Sequence, residues 1–383
     1  MRRHARMKAS IAAVAVAALL LVSSPLPVGM RAPDASAASG PTAMQQVANA
    51  LKPPAWNGPT GAFQAMRAKG KHVFFINLTE EIPALHEWGA VMAQQLKLVG
   101  VSTKVCDAKG APEGIITCMQ QGIAQHPDLI VAAALDTKFI AGYMSQAKNA
   151  GIKLITGQTG IPGIPTATGD LAEATFNYQT VGNLLGAWYA ADSGCKTAPQ
   201  IITSTSSRQP SLAEVAGILS EIKLLCPHIT PLPVQNVLIP DWATKLPTLT
   251  RSLLLAHKDL TYLLPLYDGM TLYMVQQIQQ MNLGRPVKIG SFNATPVVMQ
   301  NELAKTSPLA ADVGGPNQWY GYALADQALR VLTGTAPVAD EQVPLRLFTR
   351  ANIGTINVKA DESTWYGSVN VNCKYHTLWH IAC

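Results

Sequence analysis

Two strand-loop-helix units near the end of the chain place polar side chains where a small ligand could be held. The stretch 287–334 reads as strand, polar loop, helix, strand, glycine-rich loop and helix, with Asn293 in the first loop and residues 314–319 in the second. In open parallel sheets, ligands bind at the carboxyl ends of the strands. The amide of Asn293 donates and accepts hydrogen bonds at once, which suits a hydroxyl or an amide. We therefore expect a small-molecule site at these loops.

The chain lacks the motifs of the common hydrolases. It has no G-x-S-x-G nucleophile elbow and no set of nucleophile, histidine and acid placed on strand-end loops. His86 and Glu87 begin a zinc-protease pattern, but no second histidine follows at the required spacing. The expectation is a binding protein that is not an enzyme and uses no cofactor.

The first residues have the pattern of a secretory signal peptide, which we place at 1–37. Four basic residues open the chain, 11–22 is an unbroken apolar run, and Ala35-Ser36-Ala37 gives a small-residue cleavage pattern. The apolar run is short for a bilayer span, although an uncleaved anchor is the alternative. The first cysteine is Cys106, so no cysteine near the cleavage point could be lipidated. We expect a secreted, periplasmic or cell-envelope protein that is not a lipoprotein.

The positive charge belongs mostly to this leader. The net charge is +6, and the leader holds five basic residues and one acidic residue. The remainder is close to neutral, at about +2, so charge gives no argument for nucleic-acid binding.

Six cysteines in a secreted chain predict disulfides. Many pairings are possible, and sequence alone does not choose among them. We prefer pairs that are close along the chain, because each would join neighbouring elements and restrict a short or moderate loop. The tail cysteines flank His376 and His380, so a zinc site is an alternative there, with no metal as the expectation. The expected pairs are Cys106–Cys118, Cys195–Cys226 and Cys373–Cys383.

The chain changes character at about residue 71. Residues 38–70 are rich in proline and aperiodic, which predicts an extended N-terminal arm. A strand is then predicted at His72 to Asn77 and a helix at Ile82 to Val99, and strand-helix units continue to about residue 334. Such alternation predicts a parallel, doubly wound α/β sheet. About a dozen strands exceed one ordinary sheet, so two lobes are expected.

Several segments carry a family resemblance: HVFFINLTEEIPALHEWGAVM, PDLIVAAALDT, AKNAGIKLIT, TYLLPLYDGM, VKIGSFNATP and LAADVGGPNQWYGYALADQAL. By their order and spacing, the chain after Lys71 resembles the type 1 periplasmic solute-binding proteins, the ribose-binding-like group that serves ABC importers. The resemblance implies two doubly wound parallel-sheet lobes joined by three hinge crossovers. It implies an N-terminal lobe of 71–176 with 316–343, and a C-terminal lobe of 177–315 with 344–383.

The same resemblance places a ligand between the lobes, where hinge closure would bury it. The implied partners are a small-molecule ligand and the membrane permease of an ABC importer, with no nucleic acid, and the protein is expected to be a monomer. The implied ligand-contacting residues are Glu81, Ile82, Leu85, Gln158, Arg208, Trp242, Tyr267, Asn293, Gly315, Gln318 and Trp319.

These candidates also have purely structural interpretations. Trp242 and Trp319 could pack the lobes instead of stacking on a ligand. Asn293 could cap a helix, as could Asp268, whose other interpretation is a carboxylate that supports the site. Arg208 could be a solvated loop residue.

The chain departs from the sugar-binding pattern of the family it resembles. Ala84-Leu85 stands where aromatic residues commonly follow the first-turn proline, and Gly157-Gln158 stands where an acid-base pair is often found. Asn293 occupies a place where aspartate is common. We therefore expect a small neutral ligand that is sugar-like, a polyol, or a less polar or aromatic compound. The alternatives are a ligand-binding sensor subunit for a membrane receptor and a secreted hydrolase.

Overall fold

The computed structural model describes residues 42–159, 162, 170–206 and 208–383. The expected signal peptide at 1–37 lies outside the described residues, as does most of the loop between residues 160 and 169. No helix in the described ranges is long and apolar enough to cross a membrane.

The N-terminal arm contains a helix, so the expectation that 38–70 is extended is wrong for this part. Helix α1 spans Ala43–Ala50 and begins with a capping box, in which Thr42 and Gln45 satisfy each other's backbone N–H groups. Such reciprocal capping stabilises a helix start. A 3-10 turn follows at Ala65–Ala68.

The N-terminal lobe is built on one parallel sheet. Its strand order is β2-β1-β3-β4-β5. Strand β3 is buried throughout, as expected for a parallel sheet covered on both faces. Proline begins α2 and α3, and Asp136 caps α4 by accepting from the Lys138 N–H. The elements are β1 His72–Asn77, α2 Pro83–Leu98, β2 Ser102–Asp107, α3 Pro112–Ala124, β3 Leu129–Ala133, α4 Thr137–Asn149, β4 Lys153–Gly157 and β5 Glu173–Ala174.

The C-terminal lobe follows the first crossover. Its elements continue the strand-helix alternation. The short helix at Pro296–Val298 continues directly into a π-helical turn at Met299–Leu303. The chain then has the order α5 Tyr178–Ser193, β6 Gln200–Thr203, α6 Arg208–Leu225, β7 Leu232–Asn236, α7 Trp242–Ala256, β8 Tyr262–Pro265, α8 Asp268–Met281, β9 Lys288–Asn293, α9 Pro296–Val298 and β10 Leu309–Gly314.

After β10 the chain returns to the first lobe and crosses back once more. Helix α10, Asn317–Thr333, packs on α2, and β11, Arg346–Thr349, then pairs antiparallel with β10. The second sheet therefore has the order β11-β10-β9-β8-β6-β7, parallel except for β11. The expected α/β fold of two parallel-sheet lobes is confirmed, with crossovers after β5, after β10 and between α10 and β11.

The first two crossovers pack against each other. A Cβ atom at Gly315 would lie 2.7 Å from the ring of Phe176, closer than side-chain contacts allow. Gly315 therefore serves the packing of the hinge, since a larger residue would push the two crossovers apart.

The tail divides between the lobes, which differs from the assignment of all of 344–383 to the C-terminal lobe. The last helix, α11 at Val371–Trp379, packs on the N-terminal lobe. Trp379 Nε1 donates to Asp326 Oδ1 over 2.7 Å, and His376 Nε2 lies 2.9 Å from Gln95 Oε1. Buried aromatic and polar contacts with α10 and α2 thus decide where the tail lies.

Two of the three expected disulfides are formed. Cys106 is bonded to Cys118 with an S–S distance of 2.04 Å, and Cys195 is bonded to Cys226. Cys373 and Cys383 are free thiols in the structure, so the third expected pair is not bonded. A hydrogen bond with the Cys383 thiol raises the pKa of the Cys373 thiol, which places the two groups beside each other. Within the described ranges, no group of three or more His, Cys, Asp or Glu residues could hold a metal ion.

Candidate functional site

The candidate site is a small cavity between the two lobes, at the ends of strands from both sheets. Its volume is about 30 Å³, which leaves room for about two water molecules. Both lobes contribute to its wall, as the general rule for ligand sites in open α/β sheets predicts. The lining residues are Leu78, Ile82, Leu85, Trp88 and Ala134 from the N-terminal lobe and Tyr178, Ser204, Ile239, Trp242, Tyr267 and Asn293 from the C-terminal lobe.

Five of the residues expected to contact a ligand line this cavity. They come from both lobes and lie at four different strand ends or helix starts, so only the folded chain brings them together. The role of each in ligand binding stays a prediction. They are Ile82, Leu85, Trp242, Tyr267 and Asn293.

Two of the other candidates lie on the surface. Glu81 is exposed, and its N–H donates to the Thr79 hydroxyl at the end of β1. Arg208 is exposed at the start of α6. Neither side chain lines the cavity.

Gln158 and Gly315 lie at the crossovers. The side chain of Gln158 is fully buried and accepts from the Phe176 N–H over 3.2 Å, so it joins the end of β4 to the first crossover. Gly315 packs against the same Phe176 ring. Both residues lie where the lobes are joined, outside the cavity lining.

Gln318 and Trp319 face the tail. Gln318 Nε2 donates to Asp361 Oδ2 over 3.1 Å, and the Trp319 ring stacks on Trp56 of the arm at 5.1 Å between ring centroids. Both line a larger cavity of about 300 Å³ bounded by residues 316–322 and the tail segment 363–372. No residue of the N-terminal sheet or of its loops lines that larger cavity. The smaller cavity between the lobes is therefore the better candidate site.

Asn293 is presented to the cavity by a strained turn. The backbone φ angles are 126° at Asn293 and 50° at Ala294, both in the region that side chains other than glycine rarely adopt. Two buried carboxyl groups hold this turn: the Ala294 N–H donates to Asp312 over 3.1 Å, and the Thr295 N–H donates to Asp268 over 2.6 Å. Strain that the surroundings maintain in this way is typical of functional sites.

The two supporting carboxyl groups are themselves coupled. Burial raises the pKa of Asp268 to about 6, although hydrogen bonds with Asp312 and Thr295 lower it in part. Burial and the neighbouring charge of Asp268 raise the pKa of Asp312 well above its usual range. The proximity of the two buried carboxyl groups therefore favours retention of a proton by the pair. Asp268 supports the site, rather than simply capping α8.

A third carboxyl group lies behind the aromatic side of the cavity. Glu214 is fully buried in α6, and neither of its oxygens has a hydrogen-bond partner among the described residues. Burial raises the pKa of Glu214 well above its usual range, which favours its neutral form. The site has no permanently charged wall.

The lobes touch each other in this structure. Gln209 Nε2 at the start of α6 donates to Asp136 Oδ1 over 2.8 Å and reaches Thr137 Oγ1 at 3.2 Å. Gly110 of the first lobe packs against Ile239 of the second, because a Cβ at Gly110 would lie 3.0 Å from the Ile239 side chain. The structure is therefore a closed form, and a ligand larger than a few atoms requires the lobes to part.

Sequence reasoning missed six of the lining residues. Three of them, Leu78, Ala134 and Ser204, directly follow strands, so the strand-end rule could have identified them. Trp88 lies one turn after Leu85 on the same face of α2, and Tyr178 begins α5 after the first crossover. The missed residues are Leu78, Trp88, Ala134, Tyr178, Ser204 and Ile239.

The sequence from residue 73 to residue 336 matches the family described as periplasmic binding protein domain. That span covers more than half of the chain. The chain belongs to the periplasmic binding protein family. The two-lobed parallel-sheet architecture makes it a type 1 member, and both family and fold are those of non-enzymatic solute-binding proteins. Comparison with curated protein sequences finds no match.

Solved structures share the fold of this periplasmic binding protein. A 5-methylthioribose transporter solute-binding protein from Thermotoga lettingae, in complex with 5-methylthioribose, is 18% identical with a TM-score of 0.70, covering 82% of this chain and 97% of that one. An ABC transporter solute-binding protein from Agrobacterium vitis with bound allitol is 19% identical with a TM-score of 0.68, covering 75% and 98%. At these identities the likeness is one of fold.

Proposed function

We propose that this chain is a secreted solute-binding protein that closes its two lobes around a small neutral ligand and presents the closed complex to the permease of an ABC importer. The observation that carries the proposal is the Asn293 turn, in which two buried carboxyl groups hold a strained backbone and leave the Asn293 amide facing a cavity between the lobes. No catalytic role is proposed, because the cavity lining contains no nucleophile paired with a base.

Two further observations support the neutral ligand and the hinge. The lining contains no charged side chain, and the carboxyl groups behind it are neutral or share a proton. The structurally similar proteins from Thermotoga lettingae and Agrobacterium vitis hold 5-methylthioribose and allitol, which are small uncharged molecules. The signal-peptide pattern at 1–37 supports export, and we propose that the protein acts as a monomer.

Thermal unfolding in the presence of sugars, polyols and small aromatic compounds tests the proposal. A ligand at about one hundred times its Kd should stabilise the protein by about 2.7 kcal/mol, which is a shift of several degrees in Tm. Mass spectrometry of the protein purified under mild conditions should identify a bound small molecule. If no compound in a broad panel shifts Tm and none co-purifies, the proposal is wrong.

A matched pair of variants localises the binding. Tyr178→Phe removes a hydroxyl from the cavity wall and should weaken binding, whereas Tyr262→Phe removes the hydroxyl that donates to Asp192 outside the cavity and should not. Equal affinity in both variants would place the ligand elsewhere on the molecule. Once the ligand is known, its uptake by cells should be lost on deletion of the gene and restored by the wild-type copy.

A further inference from the structure

The N-terminal wall of the cavity offers a ligand no free hydrogen-bonding side chain. Four of its five residues are aliphatic, and the fifth, Trp88, already donates its indole N–H to Asn317 Oδ1 over 2.8 Å. Part of the backbone is occupied as well, because the Leu78 carbonyl accepts from the Gly110 N–H and the Ala134 N–H donates to the Gly157 carbonyl. Polar groups of a ligand placed against this wall would lose their water without gaining a partner, which is unfavourable.

The C-terminal wall has the opposite character. The Asn293 amide and the Tyr178 hydroxyl make no hydrogen bond among the described residues, and the Ser204 hydroxyl is buried without a partner. The other two polar groups of this wall are engaged: Tyr267 pairs with the Ser211 hydroxyl over 2.9 Å, and Trp242 Nε1 donates to the Val237 carbonyl over 3.0 Å. The free donors and acceptors of the cavity therefore lie on one side.

We infer that the ligand is a neutral amphipathic molecule, whose apolar part lies against Leu78, Ile82, Leu85, Trp88 and Ala134 and whose hydroxyl, carbonyl or amide groups meet Asn293, Tyr178 and Ser204. The inference rests on the proposed function, since it assumes that this cavity opens to bind a solute. The inference excludes a free polyol or hexose as the ligand. Such a molecule carries hydroxyl groups on all sides, and the hydroxyl groups that face the N-terminal lobe would have no hydrogen-bond partner.

Matched pairs of probes test the inference by isothermal titration calorimetry. Each pair shares a polar end and differs by a phenyl group: glucose and phenyl glucoside, ethylene glycol and phenylethylene glycol, acetamide and phenylacetamide. In at least one pair the phenyl member should bind about tenfold more tightly or better, because burial of even part of the ring adds that much affinity.

Two other outcomes would overturn the inference, and they are distinguishable. If probes bind but the phenyl member is no tighter in every pair that binds, the amphipathic ligand is excluded and the proposed function stands. If neither member of any pair binds, and the broader panel also gives no ligand, the proposed function fails together with the inference.

Variants on the two walls should respond differently to the pair that binds. Ile82→Thr adds a hydroxyl to the apolar wall. It should weaken binding of the phenyl-bearing probe several-fold, with little effect on binding of the matched probe that lacks the phenyl group. Ser204→Ala removes a free hydroxyl and should weaken both members by the same factor. Leu85→Met keeps the first wall apolar and should retain the preference. Thermal melts of the free proteins verify folding, and an equal effect of Ile82→Thr on both members contradicts the inference.

Discussion

The two walls of the cavity are built in the same way but differ in chemistry. Leu78 and Ala134 directly follow β1 and β3 in the first lobe, and Ser204 directly follows β6 in the second, where Asn293 ends β9. These residues occupy equivalent places at strand ends, yet the first pair is apolar and the second pair offers unpartnered polar groups. Position in the fold thus decides which residues reach the cavity, and residue type decides which part of a ligand each lobe would meet.

The two walls are also supported differently. Behind the first, Trp88 packs edge-on against Tyr320 at 4.8 Å and Phe176 at 6.1 Å between ring centroids, so this wall is part of the hydrophobic core. Behind the second, Asp268 and Asp312 hold the Asn293 turn through hydrogen bonds. A change on the first wall should therefore cost stability, whereas a change on the second should alter pH dependence or binding.

Trp88→Ala should have the largest effect. Trp88 is 2% exposed, and its removal leaves a cavity in an aromatic cluster and an unpaired Asn317 amide oxygen. Loss of a buried aromatic side chain costs about 3–5 kcal/mol, which chemical denaturation would measure. Trp88→Phe, which keeps a ring in place, should lose less. A cost below about 1 kcal/mol for the alanine variant would show that this wall is not part of the core.

Asp268→Asn should change the dependence of stability on pH. Burial raises the pKa of Asp268 in the folded state, so the folded protein retains a proton that the unfolded chain releases. This contribution to stability is fully present below about pH 4 and is lost as the pH rises through about 6. Between pH 4 and 8, the free energy of unfolding of the wild type should fall more steeply than that of the variant.

Asp128→Asn provides a control with the opposite sign. Burial alone would raise the pKa of Asp128, but hydrogen bonds from Lys71 and from the His72 N–H lower it overall. Its contribution is present above the pKa of the unfolded chain and is lost on acidification. In this variant the free energy of unfolding should therefore depend less on pH than in the wild type, and only at acid pH. If Asp268→Asn and Asp128→Asn changed the same part of the profile, the assignment of the buried pair would be wrong.

Gln209→Ala should loosen the contact between the walls without unfolding either lobe. It removes the hydrogen bonds to Asp136 and Thr137, a loss of about 1 kcal/mol that falls on the closed form alone. Small-angle X-ray scattering of the free protein should show a larger radius of gyration. Gln235→Ala makes the same change at a half-buried position of β7, where the amide donates only to the Pro233 carbonyl of the same strand, and should leave scattering unaltered. Identical scattering from all three proteins would contradict the closing role of Gln209.

Tyr178→Phe should have the smallest effect on the free protein. The Tyr178 hydroxyl has no hydrogen-bond partner among the described residues, so its removal should change the free energy of unfolding by less than about 0.5 kcal/mol. Tyr262→Phe should cost about 1 kcal/mol, because that hydroxyl donates to Asp192 over 2.7 Å. A larger loss for Tyr178→Phe than for Tyr262→Phe would mean that the Tyr178 hydroxyl serves the fold and is not reserved for a ligand.

Much of the fold followed from local sequence patterns. The strand predicted at His72 to Asn77 has the same bounds in the structure, and the helix predicted at Ile82 to Val99 is found at Pro83–Leu98. The apolar periodicity, the helix caps and the interrupting glycines that fix such elements lie within a few residues of one another. The helix at Ala43–Ala50 was not predicted, because the prolines that follow it indicate an irregular segment, although the capping box at Thr42 and Gln45 is a local signal of a helix start.

The amino-acid sequence by itself determined the strand-helix alternation, the two lobes and the strand-end loops in which a site would lie. Only the tertiary structure decided that Arg208 faces solvent, that Trp319 stacks on Trp56 of the arm, and that the Asn293 amide enters a closing cavity. Elements form from contacts between near neighbours, whereas the direction of a side chain depends on partners far away in the chain. Trp88 and Asn317, which meet across more than two hundred residues, are an example that no local pattern contains.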